Sequence, residues 1–104
     1  MTERENEVLN GIIEVLVRYL APARIILFGS RAKEKNFKNS DFDLAIDMAK
    51  VDIRLQRKID EEIENVVGLY KYDIVYLDSV DETFKNIVLQ TGKVIYEKGN
   101  QLQY

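Results

Sequence analysis

A chain of 104 residues, 46% of them hydrophobic, has room for one globular domain and little more. Its formal net charge of -3 argues against the broadly basic surface that general binding to nucleic-acid backbones requires, and leaves room for local basic clusters. With neither cysteine nor histidine present, disulfides, thiol chemistry and metal sites built on soft or borderline ligands are excluded as well.

The start, Met1-Thr2-Glu3-Arg4-Glu5, is charged and leads into no signal-peptide core, and no apolar run is long enough to span a bilayer, so a cytoplasmic location is expected. From Glu3 to Leu20 the apolar residues Val8, Leu9, Ile12, Ile13, Val15, Leu16, Tyr19 and Leu20 recur every three or four positions. That period predicts an amphipathic helix with a wide buried stripe. Ala21-Pro22 ends it, because proline disfavours helical backbone in the residue before it.

A first strand, Arg24 to Phe28, delivers the chain to Gly29-Ser30. Glycine there lets the backbone approach an anion closely, and the following amides and the serine hydroxyl can donate to it. Arg31, Lys33 and Lys35 surround this turn with positive charge. Between Arg31 and Ser40 no period is visible, and a short helical turn followed by a mobile loop is expected.

The stretch Asp41-Phe42-Asp43-Leu44-Ala45-Ile46-Asp47 alternates as a strand does, with Phe42, Leu44 and Ile46 on one face and Asp41, Asp43 and Asp47 on the other. Residues i and i+2 of a strand lie roughly 6.6 to 7 Å apart on the same face. Asp41 and Asp43 can therefore ligate one cation or a pair. Hard oxygen donors suit magnesium or manganese, and magnesium is usually shared between one or two carboxylates and a substrate's phosphates. The acidic pair thus calls for a phosphate ligand, and Gly29-Ser30 is its candidate cradle.

Val51, Leu55, Ile59, Ile63 and Val66 mark a second amphipathic helix across Asp52 to Asn65, with Gly68 placed to cap it. Its run Asp60-Glu61-Glu62 reads as a solvated face, since consecutive helix positions do not converge. Tyr70 to Leu77 is rich in aromatic and β-branched residues and predicts a third strand. Asp73 interrupts it, and a carboxylate in such a place must face either water or a cation. Asp78 reads as turn chemistry. A helix from about Asp81 to Thr91 follows, with Phe84, Ile87, Val88 and Thr91 inward and Ser79 or Asp81 as cap; then come Gly92, a short strand Lys93 to Glu97, and a loose tail from Gly99 to Tyr104. These elements predict a single α/β domain, residues 1–104, with a small mixed sheet flanked by helices.

Gly-Ser, ten intervening residues, then Asp-x-Asp, within LFGSRA and SDFDLAI, resembles the signature of the DNA polymerase beta-like nucleotidyltransferase superfamily, and the small size resembles its minimal nucleotidyltransferase (MNT) branch. The resemblance implies the nucleotidyltransferase fold, with Gly29, Ser30 and Arg31 binding the nucleotide. It also implies that Asp73 completes a catalytic and metal-binding set with Asp41 and Asp43, holding two magnesium ions, with manganese as the other candidate and ATP as substrate. The pattern departs from relatives at Glu34, where glycine is usual. Stand-alone MNT proteins are typically encoded beside an all-helical HEPN protein that often acts as a ribonuclease toxin. The implied function is that of an antitoxin transferring AMP from ATP to a tyrosine of that partner. Three alternatives stand beside it: a catalytically idle subunit that inhibits by occlusion, and nucleotide transfer to a small molecule or to an RNA end. Small-molecule modifiers usually carry a further domain, and RNA-end enzymes a basic surface. Assembly as a homo-oligomer or a hetero-oligomer is compatible with this reading.

Overall fold

The computed structural model of the protein describes residues 1–32 and 41–99. The expected loop across Lys33, Glu34 and Lys35, and the tail beyond Gly99, lie outside the described residues. Helix α1 (Glu3–Leu20) begins at Thr2, whose hydroxyl accepts from the Glu5 amide while the Glu5 carboxylate accepts from the Thr2 amide. This reciprocal capping box satisfies two amides that the first turn leaves unbonded. Helix α1 stops at Ala21, which takes a left-handed φ of 43° just before Pro22.

Strands β1 (Arg24–Phe28) and β2 (Phe42–Ile46) follow, then α2 (Ile53–Val67), β3 (Tyr72–Tyr76), α3 (Glu82–Thr91) and β4 (Lys93–Glu97). Asp52 caps α2 through the amides of Arg54 and Leu55, and Asp81 caps α3 through that of Phe84. In the sheet the order is β3-β2-β1-β4. Strand β1 runs antiparallel to both neighbours, whereas β2 and β3 are parallel, with α2 as the crossover. Parallel neighbours need such a connection, and the sequence places its strongest helical pattern there.

One face of the sheet, carrying Ile25, Leu27, Phe42, Leu44 and Ile46, packs against Leu9, Ile12 and Leu16 of α1 and Ile59 and Ile63 of α2. The opposite face has a smaller cluster of Ile26, Ala45, Leu77 and Val88, joined by Phe28 and Phe84, whose rings meet edge to face at 5.9 Å. Helix α3 supplies Val88 and Phe84 to this second layer. It turns less of itself inward than its period predicts, since Ile87 is 51% exposed and Thr91 lies at the surface. The cause is that α3 covers a narrow part of the sheet, so only one stripe finds apolar partners. Among the described residues this narrow cover leaves Asp43 of β2 half-buried and Asp73 of β3 exposed on the second face.

Candidate active site

The register of the parallel pair sets Asp43 directly beside Asp73. Paired residues on neighbouring strands lie roughly 4.8 Å apart and point to the same face, so both carboxylates emerge on the open side of the sheet. On the other flank of β2, Asp43 pairs with Phe28, the last residue of β1. Gly29 follows with a φ of 74° and starts a single 3-10 turn through Arg31. A Cβ at position 29 would meet Oδ2 of Asp43 at 2.4 Å, so this carboxylate lies against the bare glycine. Asp41, exposed, stands just before β2. Gly29, Asp41, Asp43 and Asp73 therefore meet at one end of one face, with Ser30 half-buried in the adjoining turn.

Burial pushes the Asp43 carboxyl above its ordinary range; the charges of Asp41 and Asp73 push it the same way, and Arg31 pulls against them. Like charges at this range repel. Among the described residues no three acidic side chains close into a finished metal cluster. The donor set is nevertheless all carboxylate and fits a hard divalent ion better than any other ligand. The glycine beside it, which leaves room where any side chain would collide, fits a bulky anion brought to the same place.

Arg31 lies elsewhere. Its side chain is buried on the helix-covered side of the sheet, where it forms an ion pair with Glu5 of α1 and sits 4.0 Å over the Phe42 ring. The Tyr70 ring is 5.8 Å away. The guanidinium thus braces the turn from behind, on the face opposite Asp43. No sequence period signals this contact, because Glu5 and Arg31 are 26 positions apart.

Several other acidic residues are paired away from this end of the sheet. Asp47 accepts from Arg24 at 2.9 Å and 2.8 Å, at the far end of β2. Asp78 pairs with Lys85 at 3.1 Å, next to a short turn. The run expected to be a solvated face is partly structural: Asp60 accepts from the Tyr72 hydroxyl at 2.7 Å, and Glu62 takes Arg18 at 3.0 Å together with the Tyr19 hydroxyl. These long-range contacts tie α2 to β3 and to α1, and the local spacing holds no trace of them.

The polymerase beta nucleotidyltransferase model matches residues 10–101. The chain belongs to that family. Comparison with curated proteins gives no match. Among solved structures, a chain of a toxin-antitoxin structure with AMP-PNP is similar at 25% identity and a TM-score of 0.71, over 86% of this chain and 73% of that one. A chain of the complex between a tri-AMPylated Shewanella oneidensis HEPN toxin and its MNT antitoxin is similar at 22% identity and a TM-score of 0.66, over 91% and 73%. A protein described as a minimal nucleotidyltransferase is similar at 19% identity and a TM-score of 0.67, over 88% and 94%. The expected α/β nucleotidyltransferase fold is therefore the observed one. No helix among the described residues is long and apolar enough to cross a membrane.

Proposed function

We propose that the protein is a magnesium-dependent nucleotidyltransferase that moves AMP from ATP to a tyrosine of a HEPN-type partner and thereby acts as an antitoxin. The observation that carries the reading is the register that sets Asp43 beside Asp73, with the Asp43 carboxylate lying against Gly29. Support for the partner comes from the neighbours, which include an AMPylated HEPN toxin bound to an MNT antitoxin and a toxin-antitoxin complex holding AMP-PNP.

In this reading Gly29 and Ser30 receive the triphosphate through backbone amides and the serine hydroxyl. Arg31 serves the nucleotide indirectly, by holding the turn that carries Gly29 and Ser30. Asp41, Asp43 and Asp73 hold the divalent cations, which when bound offset phosphate charge and lower the pKa of the attacking hydroxyl. The acceptor oxygen bonds to the α-phosphorus as the bond to pyrophosphate breaks, and the hydroxyl proton passes to Asp73 and on to solvent. Positioning supplies the remainder, since reactants held in line gain what collision in solution cannot provide.

The test is incubation with ATP labelled at the α-phosphate, magnesium and a purified HEPN-type partner. Label on a partner tyrosine, lost in Asp43→Asn, is the expected outcome. Inhibition of the partner without label would replace transfer by occlusion.

A further inference from the structure

The edge of β3 offers a second, unassigned site. Among the described residues β3 has β2 as its only strand neighbour. The Phe42 amide donates to the Lys71 carbonyl at 2.9 Å, so residues 71, 73 and 75 turn their backbone groups toward β2. Groups of one residue point the same way and alternate along a strand. Tyr72, Ile74 and Tyr76 therefore present N–H and C=O outward. Along this edge runs a groove of about 380 Å³, bounded on its far side by Gln56, Asp60 and Glu64 of α2. Hydrogen bonds from Tyr72 to Asp60 and from Tyr76 to Gln56 fix that wall to the strand. Asp73, the carboxylate of the candidate active site, lines the same groove.

We propose that this edge binds the acceptor as an extended peptide that adds a strand beside β3, a proposal that rests on the nucleotidyltransferase reading above. Outward N–H and C=O groups at alternate residues are the complement of another peptide backbone. In such a ladder the residue opposite Asp73 turns its side chain to Asp73's face, which places an acceptor hydroxyl at the carboxylates. Its two chain neighbours turn to the other face, toward Asp60 and Glu64. Among the described residues Lys50 is the one cation lining this groove, against three carboxylates. Basic residues on either side of the acceptor tyrosine are thus favoured, and a phosphate backbone is disfavoured.

The experiment uses the full chain, ATP labelled at the α-phosphate, magnesium and two synthetic peptides of about nine residues with a central tyrosine, one flanked by lysines and the other by glutamates. Labelling of the lysine peptide is expected to exceed that of the glutamate peptide by about tenfold or more. Ile74→Pro removes an outward N–H while sparing the ladder to β2, a substitution an edge strand tolerates, and should abolish the labelling. Glu64→Lys, at an exposed position whose side chain has no hydrogen bond or ion pair among the described residues, should narrow or reverse the preference. Equal labelling of both peptides, or labelling unaffected in folded Ile74→Pro, overturns the proposal and leaves nucleotidyl transfer standing. Failure to label either peptide by a protein that still binds ATP with magnesium overturns it too. If ATP is not bound at all, the nucleotidyltransferase reading fails, and the edge site falls with it.

Discussion

A methyl group at position 29 would stand 2.4 Å from Oδ2 of Asp43, and would do so at a φ of +74°, where an L side chain is already strained. Gly29→Ala should therefore cost about 1 to 3 kcal/mol of stability, read from denaturant unfolding. It should also move the Asp43 carboxylate, and displacement of a reacting group by about 1 Å can remove on the order of a hundredfold in rate. A variant with ordinary turnover would mean that Asp43 does not work from the place where the glycine holds it. At this scale much of the site was legible. Alternation within Asp41 to Asp47 put Asp41, Asp43 and Asp47 on one face, and Asp73 stood out as a charge inside an apolar run. The direction of Arg31 was not legible, since its partners come from the start of α1 and from ring packing, and neither leaves a local pattern.

Helix α1 reaches the site through the Glu5 to Arg31 ion pair. The Arg31 guanidinium, with help from the Thr2 amide and hydroxyl, lowers the Glu5 carboxyl from 4.5 to about 2. A carboxyl whose pKa is depressed by folding stabilises the native state fully above its unfolded value, and that contribution is lost as pH falls through the folded value. Glu5→Gln should thus be less stable than the parent at neutral pH, by about 3 kcal/mol if the buried guanidinium keeps no full substitute. The gap should close as pH falls from about 4.5 toward 2. Thermal melts of both proteins across that range check the sign, and a gap that stays constant would place the effect in helix capping. The elements themselves were readable because period and caps agree: α1 and β1 have the expected bounds, and Gly68 and Asp81 flank α2 and α3 as expected. The exposure of Ile87 was not readable, because a helical period says which residues share a face and not how much sheet is left to cover them.

For the molecule as a whole, the fold gathers negative charge at one end of the sheet, and that charge works against the fold until it is neutralised. Burial and the charges of Asp41 and Asp73 raise the Asp43 carboxyl, so its ionised form weighs on the native state at neutral pH and is relieved as pH falls through the raised value. A ligand that binds only the native state adds RT ln(1 + [L]/Kd), or about 2.7 kcal/mol at a hundredfold excess over Kd. For a domain of this size each kcal/mol moves the melting temperature by roughly 4 to 8 °C. Magnesium with AMP-PNP should therefore raise the melting temperature by on the order of 10 °C or more, whereas either component alone should do much less, since the phosphates complete the metal's shell and the metal offsets the phosphates. Asp43→Asn should melt no lower than the parent in chelator, for it removes a charge that burial and two neighbours oppose, and should lose most of the joint increment. If the variant kept the full increment, magnesium and nucleotide would be bound somewhere other than the end of β2.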